Sequence, residues 1–212
     1  MDLLKRVADE VRAGESDAVR ALTEQALGGG IAAGEILRSG LIAGMTTVGE
    51  SFRLREIFLP DVLLAARAMQ AGLDVLRPQL TAGGVPTAGR VVLGTVRGDL
   101  HDIGKNLVGI LLGGAGFDVI DLGVDVPPER FVDSAVEHGA EVIGVSALLT
   151  TTMAGMRDVV ALVRERGLAD RVKVIVGGAP LTEAFAREIG ADGYAYDAAS
   201  AVARVKQLVG AA

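Results

Sequence analysis

Val91-Val92-Leu93-Gly94-Thr95-Val96 runs directly into Arg97-Gly98-Asp99-Leu100-His101-Asp102-Ile103-Gly104-Lys105-Asn106, and this stretch decides how the chain folds. Its first six residues have the composition of a strand buried on both faces, as parallel strands covered by helices are. Gly98 and the polar cluster behind it end the run, and a helix is expected just after His101. The alternation recurs downstream. Strand candidates at 141–147 and 172–176 are as apolar as the first, one lies at 118–122, and a weaker one at 193–196. Strand alternating with helix is the α/β signature, and it predicts five parallel strands in a doubly wound sheet. Such sheets bind ligands beyond the carboxyl ends of their strands, where the strand order switches. The chemistry is therefore expected in three loops along one edge: 98–106, then Ser146-Ala147-Leu148-Leu149-Thr150-Thr151-Thr152, then Gly177-Gly178-Ala179-Pro180.

Working back towards the amino terminus, residues 81–89 have linker composition and predict a boundary between a domain at 1–84 and one at 85–212. Everything before the linker reads helical. Apolar positions at three-and-four spacing predict helices near 2–13, 17–28, 33–50 and 59–77, with Ser16 or Asp17 and Pro60 near helix starts. Four helices of that size make a small bundle, and 212 residues suffice for two domains with separate cores.

Composition removes several classes of function. Without cysteine there are no disulfides, thiolate nucleophiles, cysteine-ligated zinc sites or protein-ligated iron–sulfur clusters. A formal charge of −6, with Lys and Arg interleaved among acids, argues against nucleic acid as the main partner. No apolar stretch reaches the ~20 residues of a membrane span, and residues 1–14 are charged and amphipathic, unlike a signal peptide. A cytoplasmic protein that touches neither membrane nor nucleic acid is expected.

Of the two histidines, His101 falls in the first loop, two residues after a carboxylate. Spacing alone leaves two readings: a ligand, or an incidental polar residue beside Asp99 or Asp102 acting as a helix N-cap. Asp99-Leu100-His101-Asp102-Ile103-Gly104, followed by Ser146-Ala147-Leu148 and Gly177-Gly178, resembles the Asp-x-His-x-x-Gly, Ser-x-Leu, Gly-Gly signature of cobalamin-binding domains, in order and at the family's spacing. The resemblance covers nearly the whole chain. The helical half is similar to the cap of the methionine synthase, methanol and methylamine corrinoid proteins, most clearly at Val48-Gly49-Glu50-Ser51-Phe52 and Phe58-Leu59-Pro60.

The resemblance implies a flavodoxin- or Rossmann-like sheet domain behind a four-helix cap, and a cobalamin or related corrinoid whose own base is displaced into a deep pocket while His101 ligates cobalt. Asp99 would hold the second imidazole nitrogen, as a carboxylate near a metal-bound histidine does. Thr152 would extend the pair through a hydroxyl, in a register blurred by three adjacent threonines; the alternative is a polar helix start. Gly104, Gly177 and Gly178 would let the nucleotide tail pass close to backbone, and helix starts would face its phosphate. Gly98, Asp102, Ile103 and Leu148 belong to the same binding motifs, and Ser146 and Thr150 are candidate hydrogen-bond partners of the buried base. Phe52 and Leu59, with Val62 nearby, would shield the methyl group, unless they are simply bundle core.

The implied role is a methyl carrier that alternates between cob(I)alamin and methylcob(III)alamin. Its implied partners are a substrate:corrinoid methyltransferase, a methyl-acceptor methyltransferase and a corrinoid reactivation protein. No substrate pocket or zinc-ligand set is apparent, so a stand-alone corrinoid protein is expected rather than a synthase fragment. Other readings are a cobalamin-binding sensor, which usually carries a fused effector segment, and a flavodoxin-like nucleotide binder.

Overall fold

The computed structural model describes residues 2–83 and 87–210. It divides into two compact units, Met1–Pro86 with Gly114–Gly116, and Thr87–Gly113 with Phe117–Ala212. The expected boundary at 84/85 lies outside the described residues.

The first unit is helical. It consists of α1 (Leu3–Ala13), α2 (Ser16–Gly28), a continuous stretch of α3 (Ala33–Ile36), a π-helical turn (Leu37–Ile42) and α4 (Ala43–Arg53), and finally α5 (Leu59–Gly83). Asp2 caps α1 by accepting the Leu4 N–H at 3.1 Å, and Leu4, Val7 and Val11 form its buried stripe. The α1 and α4 backbones approach closely at Gly44, where a Cβ would come within 2.6 Å of the Ala8 carbonyl oxygen. Two helices differ from expectation. The third runs on to Arg53 and contains the π turn, whose extra residue per turn escapes a search for three-and-four spacing. The fourth continues through Pro78 to Gly83, because a proline this near a helix end removes a single interior hydrogen bond and few remain to follow it.

The second unit is the doubly wound one. Its strands are β1 (Arg90–Thr95), β2 (Asp118–Asp121), β3 (Val142–Ser146), β4 (Lys173–Gly177) and β5 (Gly193–Ala195). They are joined through α6 (Ile103–Gly114), α7 (Pro128–His138), α8 (Ala154–Glu165) and α9 (Glu183–Ile189), and α10 (Ala198–Val209) follows β5. All pairings are parallel in the order β2-β1-β3-β4-β5. The chain moves outward from β1 to β2 and then crosses back to β3, so the switch point lies between β1 and β3 and the loops after those strands open there.

Period-two alternation assigns the two faces. Val92, Ile143 and Val174 join Phe131, Met156 and Val160 in a closed core. Their neighbours Leu93, Gly144 and Ile175, opposite one another in register, face a cavity also lined by α6 and α10. Among the described residues no helix is long and apolar enough to cross a membrane.

Candidate functional site

The loop after β1 is organised around the buried carboxylate of Asp99. Its Oδ1 lies 2.7 Å from His101 Nδ1 and accepts the His101 N–H at 3.1 Å. Its Oδ2 accepts from Leu148 N at 2.8 Å, Leu149 N at 3.1 Å and Thr152 Oγ1 at 2.8 Å. Burial pushes this carboxyl up. The Leu148 N–H, the His101 ring, the Thr152 hydroxyl and the His101 N–H outweigh that and hold it well below the usual carboxylate range. An ionised Asp99 can only accept, so the proton of this contact is assigned to Nδ1, which leaves Nε2 with its lone pair.

Thr95 anchors the histidine from the other side. Its buried hydroxyl donates to the His101 carbonyl at 2.9 Å. The imidazole is therefore held at its backbone and at Nδ1, while the side chain stays 51% exposed and Nε2 meets no hydrogen-bond partner among the described residues. No group of three His, Asp or Glu able to hold a metal ion occurs among those residues. One imidazole nitrogen suits a metal that brings its other ligands with it, as a cobalt in a macrocycle does.

Beside His101 the cavity of about 480 Å³ runs between the sheet and helices α6 and α10. That size is in the range of small-molecule sites. Residues of all three predicted loops line it: Gly104 from the first, Ser146 from the second and Gly178 from the third among them. Away from the loops its walls are aliphatic, with Leu93, Val108, Leu112, Ile175 and Val205.

Two glycines show opposite constraints. Gly178 has φ +142°, and a Cβ there would lie 1.9 Å from the Ala147 carbonyl oxygen, so the fold itself demands glycine. Gly104, inside α6, has nothing within 4 Å of its missing side chain. Gly104 is the second residue of α6 and lines the cavity, so a side chain there would occupy space open to a ligand. An elongated, largely apolar tail alongside a macrocyclic metal would fit this cavity and this imidazole together.

The remaining predicted residues separate into groups. Asp102, Ile103, Leu148 and Gly177 line the cavity with those already named. Asp102 accepts from Asn106 Nδ2 at 3.0 Å, and Asp99 is no helix cap, since its carboxylate serves the histidine. Of the three threonines, Thr152 reaches Asp99, and Thr150 is exposed on the turn and is not among the lining residues. Gly98 is likewise not a lining residue: its N–H donates to Asp125 Oδ1 at 2.7 Å. In the helical unit, Phe52 near the end of α4 and Leu59 at the start of α5 are half-buried, and Val62 is buried.

Three features were absent from the sequence reading. Lys105, only 4% exposed, directs Nζ at both Asp121 oxygens at 2.6 Å. Tyr196 and Asp197, after β5, add a fourth loop to the cavity. Asp125 ties the β2 loop to the His101 loop. A lysine directly after the motif glycine was a visible signal for the first, whereas the others depend on contacts between distant segments.

A parallel sheet whose switch-point loops hold a carboxylate-bound imidazole above an aliphatic cavity defines a binding domain for a metal macrocycle with a tail. Two B12-binding-domain family models match the chain, one over residues 3–77 and the other over 89–203. Dimethylamine corrinoid protein 1 of Methanosarcina acetivorans is 47% identical over 209 residues, covering 98% of each chain. A cobalamin-binding protein of Desulfitobacterium hafniense is similar in structure, with a TM-score of 0.80, 34% identity and 98% of both chains covered. The methanol:cobalamin methyltransferase complex of Methanosarcina barkeri contains a chain that matches with a TM-score of 0.88 and 30% identity, covering 99% of this chain and 80% of that one. The protein belongs to the corrinoid-protein family built on B12-binding domains.

Proposed function

We propose that the protein is the methyl-carrying corrinoid subunit of a methylamine methyltransferase system, and that it binds its cofactor base-off with His101 as the axial nitrogen ligand. The observation that carries this reading is the 2.7 Å pairing of Asp99 with His101 Nδ1, which leaves Nε2 available beside a cavity able to take a displaced tail. The full-length match to dimethylamine corrinoid proteins supports the substrate class.

Bound corrinoid supplies a cobalt centre that accepts a methyl group and gives it up. The protein's own part would be to hold the imidazole that presents Nε2 to the metal. Asp99 keeps Nδ1 protonated and the ring oriented, with Nε2 turned to the ligand. The half-buried Thr152 hydroxyl would join the buried Asp99 carboxylate to the surface as a proton route for the imidazole–carboxylate pair. Asp102, Ile103 and Leu148 would form the rim, with Gly98 supporting the loop from behind. Gly104, Gly177 and Gly178 would give the tail its clearance, and Ser146 offers a hydroxyl to it. Thr150, on the same loop as Leu148, would be a further hydrogen-bond partner of the base. We assign the methyl shield of the helical unit to Phe52, Leu59 and Val62 on their family resemblance. A methylamine:corrinoid methyltransferase, a methyl-acceptor methyltransferase and a reactivation protein are the partners this role requires.

The substrate class is tested with cobalamin-loaded protein under reducing conditions. Dimethylamine and a dimethylamine:corrinoid methyltransferase should convert the spectrum to that of a methylated corrinoid. Conversion by a methanol system alone would overturn the amine assignment.

A further inference from the structure

Loop 122–126, after β2, lies outside the cavity, yet it is laced to the end of β1 and, through Asp125, to the His101 loop. Leu122 N donates to Leu93 O at 2.8 Å, Thr95 N to Gly123 O at 3.0 Å, and Val126 N to Thr95 O at 2.9 Å. Asp125 adds a two-point clasp. Its backbone N–H donates to the Asp99 carbonyl at 3.1 Å, and its Oδ1 accepts the Gly98 N–H at 2.7 Å. Asp125 therefore grips the turn that presents Asp99 and His101 at two points, with its carboxylate on the Gly98 N–H and its own backbone N–H on the Asp99 carbonyl.

This residue occupies a conformation its side chain disfavours. Asp125 has φ +55°, and among the described residues Arg55 is the only other non-glycine with positive φ. Such a backbone costs about 1–3 kcal/mol and persists where surrounding bonds over-determine it. The partner across the clasp, Gly98, is also left-handed at φ +82°. Asp125 is exposed, so burial does not explain why an aspartate holds the place of an easier glycine. The bond to Gly98 does, because only a short side chain with an acceptor at this position can make it.

We propose that Asp125 is a positioning residue that fixes the Gly98–Asp99 turn, and through it the alignment of the His101 imidazole for metal ligation. This rests on His101 being the axial ligand. Asp99's side-chain bonds hold the ring to the carboxylate, while its own backbone is held by Val96 O, which accepts the Asp99 N–H at 3.1 Å, and by the Asp125 N–H. Loss of the side-chain clasp frees Gly98 and leaves that turn anchored at fewer points.

Three substitutions separate the clasp from the strain. Asp125→Asn keeps an acceptor and tolerates left-handed backbone, Asp125→Gly keeps only the backbone, and Asp125→Ala keeps neither. Amide exchange at Gly98 is read in the apo protein, and the share of Co(II) corrinoid with axial nitrogen is read by electron paramagnetic resonance (EPR) in the loaded protein. Asp125→Asn should match wild type in both. Asp125→Gly should melt no lower than wild type, yet exchange Gly98 faster and lower the ratio of ligated to unligated cobalt by about tenfold, as loss of an outer ligand partner does. Wild-type exchange and ligation in Asp125→Gly would overturn the proposal. If wild type itself lacks axial nitrogen, the His101 reading fails instead, and the Gly98 exchange still decides whether the clasp exists.

Discussion

Replacing Asp99 by Asn changes one oxygen into an amide nitrogen at a carboxylate that accepts from five groups, and neither orientation of the amide can satisfy them. With the nitrogen at the Oδ2 position, the Leu148 and Leu149 N–H groups face a donor. Thr152 escapes this conflict, because its hydroxyl can turn wholly to the Leu149 carbonyl at 2.9 Å. Two stranded amides at about 1–3 kcal/mol each give a destabilisation of about 2–6 kcal/mol. With the nitrogen at the Oδ1 position, it opposes the His101 N–H and Nδ1–H, and the imidazole is driven to carry its proton on Nε2, which abolishes ligation. The assay is the melting temperature of the apo protein against pH. At neutral pH Asp99→Asn should melt about 5–20 °C lower, at a few degrees per kcal/mol. The folded-state carboxyl is held below its unfolded value, so its contribution is present above about pH 4 and declines as pH falls further. The gap between wild type and variant should therefore narrow below pH 4. A gap of a degree or less at pH 7, or one that widens on acidification, would refute the reasoning.

His101→Ala should keep part of its corrinoid affinity, because the cavity still holds the tail, while its absorption spectrum loses axial nitrogen ligation. Gly104→Ala should raise apo stability by about 0.5–1 kcal/mol, since nothing opposes the new Cβ, whereas Gly104→Leu should fold normally and bind corrinoid weakly in a titration. Thr152→Val should reduce the pH dependence of the cobalt reduction potential and Thr152→Ser should restore it, as measured by redox titration. Phe52→Ala should speed photolysis of the Co–methyl bond if the ring shields it; unchanged photolysis with a large fall in apo melting temperature would make Phe52 core.

The sheet could be read from the chain because buried parallel strands leave continuous apolar runs: every strand candidate falls within two residues of an observed strand end. Asp99 and His101 were legible for a local reason, being two residues apart on one loop. Thr152 was legible only through resemblance, since its partner Asp99 is 53 residues away and three threonines compete for the role. Asp125 left no local trace, and Lys105, though visible beside the motif glycine, gave no sign of its partner Asp121, 16 residues away. Their meaning comes from strand order, which brings the β2 loop beside the β1 loop, and a left-handed aspartate looks in sequence like any surface aspartate. The π turn escaped because its extra residue breaks the three-and-four spacing, and the passage through Pro78 because a proline near a helix end costs little.

Metal ligation by His101 Nε2 can be read from the EPR spectrum of the Co(II) protein loaded with cobalamin whose own base is labelled with ¹⁵N. The account predicts a three-line ¹⁴N splitting from the histidine in wild type, and its disappearance in His101→Ala. A two-line ¹⁵N splitting in wild type, or a ¹⁴N triplet that survives in His101→Ala, would contradict it.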